Sequence, residues 1–238
     1  MSKIKVLLFE GIDGSGKTSN IRDLTYVLSN RKRSYTVIDS KKESDKIGEA
    51  INELLRTAKT SVDHLRLVHL FISEQYRVLD DIKQAVKKKK EFIIIDRSPF
   101  STLAYALANT KLNTDMLFTN VSMTIVTLIT SFLEMIHDMS KDITTHVIYI
   151  DIPADVGIKR VKKRNAIGAD LDVFENKAFL TRVRKWYKKE LALIDPNLKN
   201  SSYREMTSRW KFLFKFELDG LQHQEDVNKT LRDYVVNL

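Results

Sequence analysis

A chain of 238 residues that is 43% hydrophobic, 30% charged and 9% aromatic has enough apolar mass for one sizeable core and is too apolar to be disordered. It holds no cysteine, which excludes disulfides, thiolate nucleophiles and cysteine zinc sites and fits a cytoplasmic compartment. The five histidines, at 64, 69, 137, 146 and 223, show no metal-ligand spacing. A net charge of +9 asks for an anionic partner, either nucleic acid or small polyphosphates in a basic cleft, and no apolar run is long enough to span a membrane.

Ile4–Glu10 is an apolar run that passes straight into a glycine loop, so it reads as a buried strand and not as a signal peptide. The loop is Gly11-Ile12-Asp13-Gly14-Ser15-Gly16-Lys17-Thr18, which matches G-x-x-x-x-G-K-[ST] with a strand before it and a predicted helix, Thr18–Leu28, after it. Glycines let the backbone turn with positive φ and bring its N–H groups close to phosphate oxygens. The helix N-terminus adds a partial positive charge. In this motif Lys17 reaches the β and γ phosphates of ATP, and the Thr18 hydroxyl ligates Mg2+. No N-K-x-D guanine motif occurs.

A weaker strand follows at Tyr35–Ile38, then helices near Lys46–Arg56 and Val62–Val86. The run Lys87–Lys90 lies just before a strand pattern and reads as a solvated helix end, where cations complement the dipole. Phe92–Asp96 is an apolar, β-branched strand that ends in a carboxylate. Asp96 can hold magnesium through water or cap the next helix, a duty that Ser98 can take instead. Arg97 beside it offers a planar fork for a second phosphate group.

Helices near Ser101–Ala108 and Asp115–Met139 precede a strand at Val147–Ile150. The helix Ala154–Arg164 ends in Lys159, Arg160, Lys162, Lys163 and Arg164. Lys177–Leu193 is helical, Phe212–Leu218 a last strand and Glu225–Val236 a last helix. Apolar strands separated by helices predict an α/β, three-layer P-loop NTPase fold: one domain, a central parallel sheet of about five strands flanked by helices, and ligands at the strands' carboxyl ends.

Three stretches carry a more specific likeness: EGIDGSGKTS at 10–19, DRSPFSTLAY at 96–105 and IDIPADVGIKRVKKR at 150–164. In order and spacing they resemble the thymidylate kinase family, and LDVFE at 171–175 and FELDGLQHQEDV near the end extend the resemblance. It implies ATP- and Mg2+-dependent phosphorylation of a deoxynucleoside monophosphate, dTMP before others, by a cytoplasmic homodimer. Its partners would be small nucleotides, not nucleic acid or membrane. The apolar helix segment 123–136 could serve as core or as the dimer face. The resemblance also implies that Asp13 positions the acceptor sugar, that Arg97 and Ser101 belong to the acceptor motif, and that Tyr105 stands near the sugar's 2′ edge. Phe71 would stack on the base. A basic lid over about 159–176 would close on the transferring group, with Arg160 and Arg164 foremost. Gly14 stands where some members carry an arginine, so this chain resembles those that supply the charge from the lid.

Two departures bear on the acceptor. An arginine loop expected after the second strand is replaced by Ser40-Lys41-Lys42-Glu43-Ser44-Asp45, where Lys42 offers a point charge without a fork. An arginine expected four residues after Phe71 is replaced by Gln75, which can read a base edge or nothing. Arg77 lies about 240° further round the helix than Phe71 and should point elsewhere. Two other readings stay open at this point. One is a deoxynucleoside kinase, toward which Asp96-Arg97-Ser98 leans; the other is a nucleic-acid-binding P-loop module, supported only by the basic charge.

Overall fold

The inner strands are largely apolar on both faces, and the sheet they build is covered on both. In β1 (Ile4–Glu10), Val6 and Leu8 face one helical layer while Leu7 and Phe9 face the other, all four fully buried. β3 (Phe92–Asp96) and β4 (Ile143–Asp151) repeat the alternation, with Ile93, Ile95, Val147 and Tyr149 on the first side and Ile94, Ile148 and Ile150 on the second. Together with β2 (Tyr35–Asp39) and β5 (Leu213–Asp219) they form one sheet in the order β2-β3-β1-β4-β5, every neighbouring pair parallel. Each parallel crossover lays a helix on the sheet, which is why both faces are buried. The computed structural model describes residues 3–41, 45–110, 115–165, 173–192 and 213–238.

The first layer holds α2 (Lys46–Thr57), α3 (Ser61–Lys87), α4 (Pro99–Ala108), α5 (Asp115–Met139) and α7 (Lys177–Ala192). On the opposite face lie α1 (Lys17–Asn30) and α8 (Gln224–Val236), through Ile21, Leu24, Leu28, Val227 and Leu231. α6 (Ala154–Asn165) follows β4 and packs beside α7. The three-layer α/β fold expected from the alternating pattern is therefore the one observed. The chain leaves β1 toward β2 and β3, then passes back to β4 and β5 on its other side. Strand order reverses at β1, and a crevice opens there at the carboxyl ends.

Most element bounds fall within two residues of those read from the sequence. The exception is β4, which begins at Ile143 and not at Val147. Thr144, Thr145 and His146 are polar by type, yet they pair with Lys5, Val6 and Leu7 of β1, and Thr145 and His146 are buried. α4 starts at Pro99, with Ser98 as its N-cap accepting from the Phe100 N–H, so the cap option for Asp96 falls away. In α5 the residues Ile125, Leu128, Ile129, Phe132 and Leu133 all turn into the core, leaving Met123 and Met135 exposed. Lys87–Lys89 are exposed at the end of α3, at the amino edge of the sheet and opposite the crevice.

Candidate active site

Residues 11–18 turn the chain from β1 into α1. Gly11, Ile12, Asp13, Gly14, Ser15 and Gly16 form the loop; Lys17 and Thr18 open the helix. The Lys17 ammonium is buried and donates to the Gly11 and Ile12 carbonyl oxygens at 2.9 and 3.2 Å and to Ser15 Oγ at 3.4 Å. Burial, helped by Arg97, pulls its pKa down to about 8 against the opposing pull of Asp96, Asp13 and Glu10. Thr18 donates its hydroxyl to Asp96 Oδ2 at 3.3 Å, and Asp96 Oδ1 is buried without a hydrogen-bond partner among the described residues. A hydroxyl beside a carboxylate with an orphaned oxygen fits a hydrated magnesium ion.

The loop is backed by α6. A Cβ at Gly14, whose φ is +77°, would collide with the Gly157 carbonyl, and one at Gly157 would stand 2.6 Å from the Asp13 carbonyl oxygen. No side chain fits between the two backbones, which is why position 14 has no room for an arginine. One helical turn on, Arg160 donates to the Gly14 carbonyl at 3.3 Å and to the Gly220 carbonyl at 3.0 Å, tying the loop to the turn after β5.

Across the crevice, Arg97 holds φ at +72°, a left-handed conformation that is strained for a residue with a Cβ. Its N–H donates to the Phe9 carbonyl at 3.0 Å, which fixes the turn to β1. The guanidinium donates to Asp13 Oδ1 at 2.5 Å and lies 5.1 Å over the Tyr105 ring, whose hydroxyl donates to Asp13 Oδ2 at 2.7 Å. Burial raises the Asp13 pKa, but Arg97, Lys17 and the Tyr105 hydroxyl outweigh it and leave the carboxyl below its usual range. Asp13, Arg97 and Tyr105 thus form one cluster from three separate elements.

Beneath the cluster sits Glu10, a residue the motif contains but that sequence reasoning gave no role. It is fully buried and accepts from the Ser98 N–H at 2.8 Å, Ser98 Oγ at 2.6 Å, Ser101 Oγ at 2.5 Å and the Tyr187 hydroxyl at 3.0 Å. The signal was the period of two: Glu10 shares a face with Val6 and Leu8, so a charge there had to find partners inside. Ser101 was expected at the acceptor. It borders the cavity and accepts from Arg97 Nη1 at 3.4 Å, while its hydroxyl is also engaged by Glu10 and, at 2.7 Å, by Tyr187, which ties β1 to α7.

That cavity measures about 820 Å3 and gathers most of the expected residues. Lys17, Thr18, Asp96 and Arg97 line its charged part, and Leu67, Val68 and Phe71 of α3 form an apolar wall in which Gln75 is the polar member. Phe71 is half-buried against the core, and Gln75 is buried. Tyr105 packs edge-on to Phe174, which stacks on Phe179 with ring centroids 4.6 Å apart. Arg164 also borders the cavity and pairs with Glu175 at 3.4 Å. Arg77 points away, onto Glu74, Asp81 and the Asp39 carbonyl. Lys42 and residues 166–172 of the expected lid lie outside the described residues.

A phosphate loop and an arginine fork face each other in one cavity, at the strand-order reversal of a parallel sheet. Fold and loop together define a P-loop nucleotide-binding protein. Comparison with known proteins narrows the class. The family profile described as thymidylate kinase matches residues 9–202. The probable thymidylate kinase of Methanosphaera stadtmanae is 31% identical over 77% of this chain and 82% of its own length. The thymidylate kinase of Blochmanniella floridana is 25% identical over 82% of this chain and 85% of its own. A solved thymidylate kinase structure from Candida albicans shares the fold, with a TM-score of 0.64 over 99% of this chain and 92% of that one, at 17% identity. The chain belongs to the thymidylate kinase family, and it is a nucleoside monophosphate kinase.

Proposed function

We propose that the protein transfers the γ-phosphoryl group of ATP to the phosphate of dTMP, giving dTDP and ADP. The observation that carries this is the placement of the phosphate loop and the Asp13–Arg97–Tyr105 cluster in one cavity. An oxygen of the acceptor phosphate forms the new bond to the γ phosphorus as the bond to the bridging β–γ oxygen breaks, and ADP leaves. The acceptor is already an anion, so no strong base is needed; positioning and charge neutralisation supply the rate.

In this mechanism the loop amides and Lys17 hold the ATP phosphates, and the Arg97 fork holds the acceptor phosphate. Asp13 orients Arg97 and Tyr105, while Arg160 and Arg164 bring positive charge from the lid side. Thr18 and Asp96 would hold Mg2+, which neutralises phosphate charge when bound. We place the enzyme in the cytoplasm, where free nucleotides are available. Of the homodimer, the exposed Met123 and Met135 of α5 are the support, and sedimentation tests it.

The deciding experiment is ATP consumption with each of the four deoxynucleoside monophosphates and with thymidine. Turnover of dTMP is expected. Turnover of thymidine alone would overturn the proposal in favour of a nucleoside kinase.

A further inference from the structure

Gln75 is a buried polar group at the cavity that the phosphate chemistry leaves without work. It is 1% exposed, it lines the main cavity, and its side-chain carbonyl oxygen has no hydrogen-bond partner among the described residues. An amide oxygen buried without a partner costs free energy, on the order of 1–3 kcal/mol, so such a group in a native fold calls for an explanation. Its surroundings suggest one. Phe71 lies one helical turn before it on the same wall, with Leu67 and Val68 beyond, and Tyr105 and Phe174 also border the cavity. Lys17, Thr18, Asp96 and Arg97 occupy the charged part. A nucleotide whose phosphate meets Arg97 therefore lays its flat, apolar ring among these side chains, and Gln75 is placed to meet the edge of that ring. This step rests on the proposal that the cavity takes a deoxynucleoside monophosphate.

We infer that the Gln75 carboxamide hydrogen-bonds the base edge of the acceptor, and that it lets the site take a 4-amino pyrimidine, dCMP, as well as a 4-oxo pyrimidine, dTMP or dUMP. The reason is the chemistry of a primary amide. It presents one acceptor and one donor side by side, and turning over about χ3 exchanges them. A 4-oxo pyrimidine offers an N3–H donor beside an O4 acceptor, and a 4-amino pyrimidine offers the reverse, an N3 acceptor beside an amino donor. One orientation of Gln75 pairs with each. A guanidinium at this position has donors only, so on either edge it meets one acceptor, O4 or N3, and faces the neighbouring donor without pairing.

The pair dUMP and dCMP isolates this effect, because both lack the 5-methyl group and differ only along the edge that Gln75 meets. In the full-length protein with Mg-ATP, kcat/KM for dCMP is expected within about tenfold of that for dUMP, because a flipped amide loses no hydrogen bond. Q75R should lower kcat/KM for both substrates by about tenfold or more, since on either edge it strands a buried donor against another. Q75L should lower both substrates together and leave their ratio within a few-fold. ATP affinity, measured without acceptor, should stay unchanged in both variants and shows that they fold. A wild-type ratio below about one in a thousand, with dTMP still turned over, would overturn the inference and leave the kinase assignment standing. So would kcat/KM values for Q75L equal to those of wild type with both dUMP and dCMP. Failure to turn over any monophosphate would remove both.

Discussion

Lys17 and Arg97 show how single side chains are prepared for anions. Lys17 sits among carbonyl oxygens with its pKa pulled down to about 8 by burial, and a bound triphosphate favours its charged form. Above pH 8 the free protein loses this proton, so ATP binding must take it up again. The dissociation constant for ATP should therefore rise by up to about tenfold per pH unit above 8, and calorimetry should show proton uptake. In Lys17→Ala binding should be weak and that uptake absent. Turnover should fall by at least about a hundredfold, and near-normal turnover would remove Lys17 from the mechanism. Arg97 holds a left-handed φ for the sake of its guanidinium. Arg97→Ala and Arg97→Gly should both raise the KM for dTMP, because neither offers the fork. Gly should be more stable than Ala there by roughly 1 kcal/mol in denaturant melts, because only glycine relaxes that backbone.

At the scale of elements, the site depends on how α4 and α7 are held to β1. Glu10 gathers Ser98, Ser101 and Tyr187, and Glu190 lies one turn beyond Tyr187, buried, with neither carboxyl oxygen bonded among the described residues. Burial, with Glu10 nearby, pushes the Glu190 pKa well above its ordinary 4.5. The folded protein thus keeps a proton that the unfolded chain releases above pH 4.5, and stability falls as pH rises from there through the raised value. Glu190→Gln should flatten this slope and raise the melting temperature at pH 7; an unchanged pH dependence would argue against a protonated carboxyl. How much was legible follows the same division. The phosphate loop was readable because its residues are contiguous and each has a backbone reason to be there. Most strands and helices were readable from their apolar period. The first four residues of β4 were not, because Thr145 and His146 are buried only by virtue of their neighbours on β1. The link between Glu10 and Tyr187 spans 177 positions, and nothing local in α7 marks Tyr187 as different from a core aromatic.

For the molecule as a whole, the sheet order decides where chemistry can occur. All five strands point the same way, so loops from distant parts of the chain meet at one edge while Lys87–Lys89 are left at the other. The lysine run is thus remote from the cavity. Within the working edge, the contact of Gly14 with Gly157 joins the first loop of the sequence to the basic helix α6. Gly157→Val should damage both at once, lowering ATP affinity and the melting temperature together. Loss of one without the other would separate the two roles. Because two bare backbones are in contact at that point, α6 is bolted at its root to the ATP cradle. The loop and the root of the helix therefore act as one rigid piece, with no intervening side chain to absorb a displacement of either.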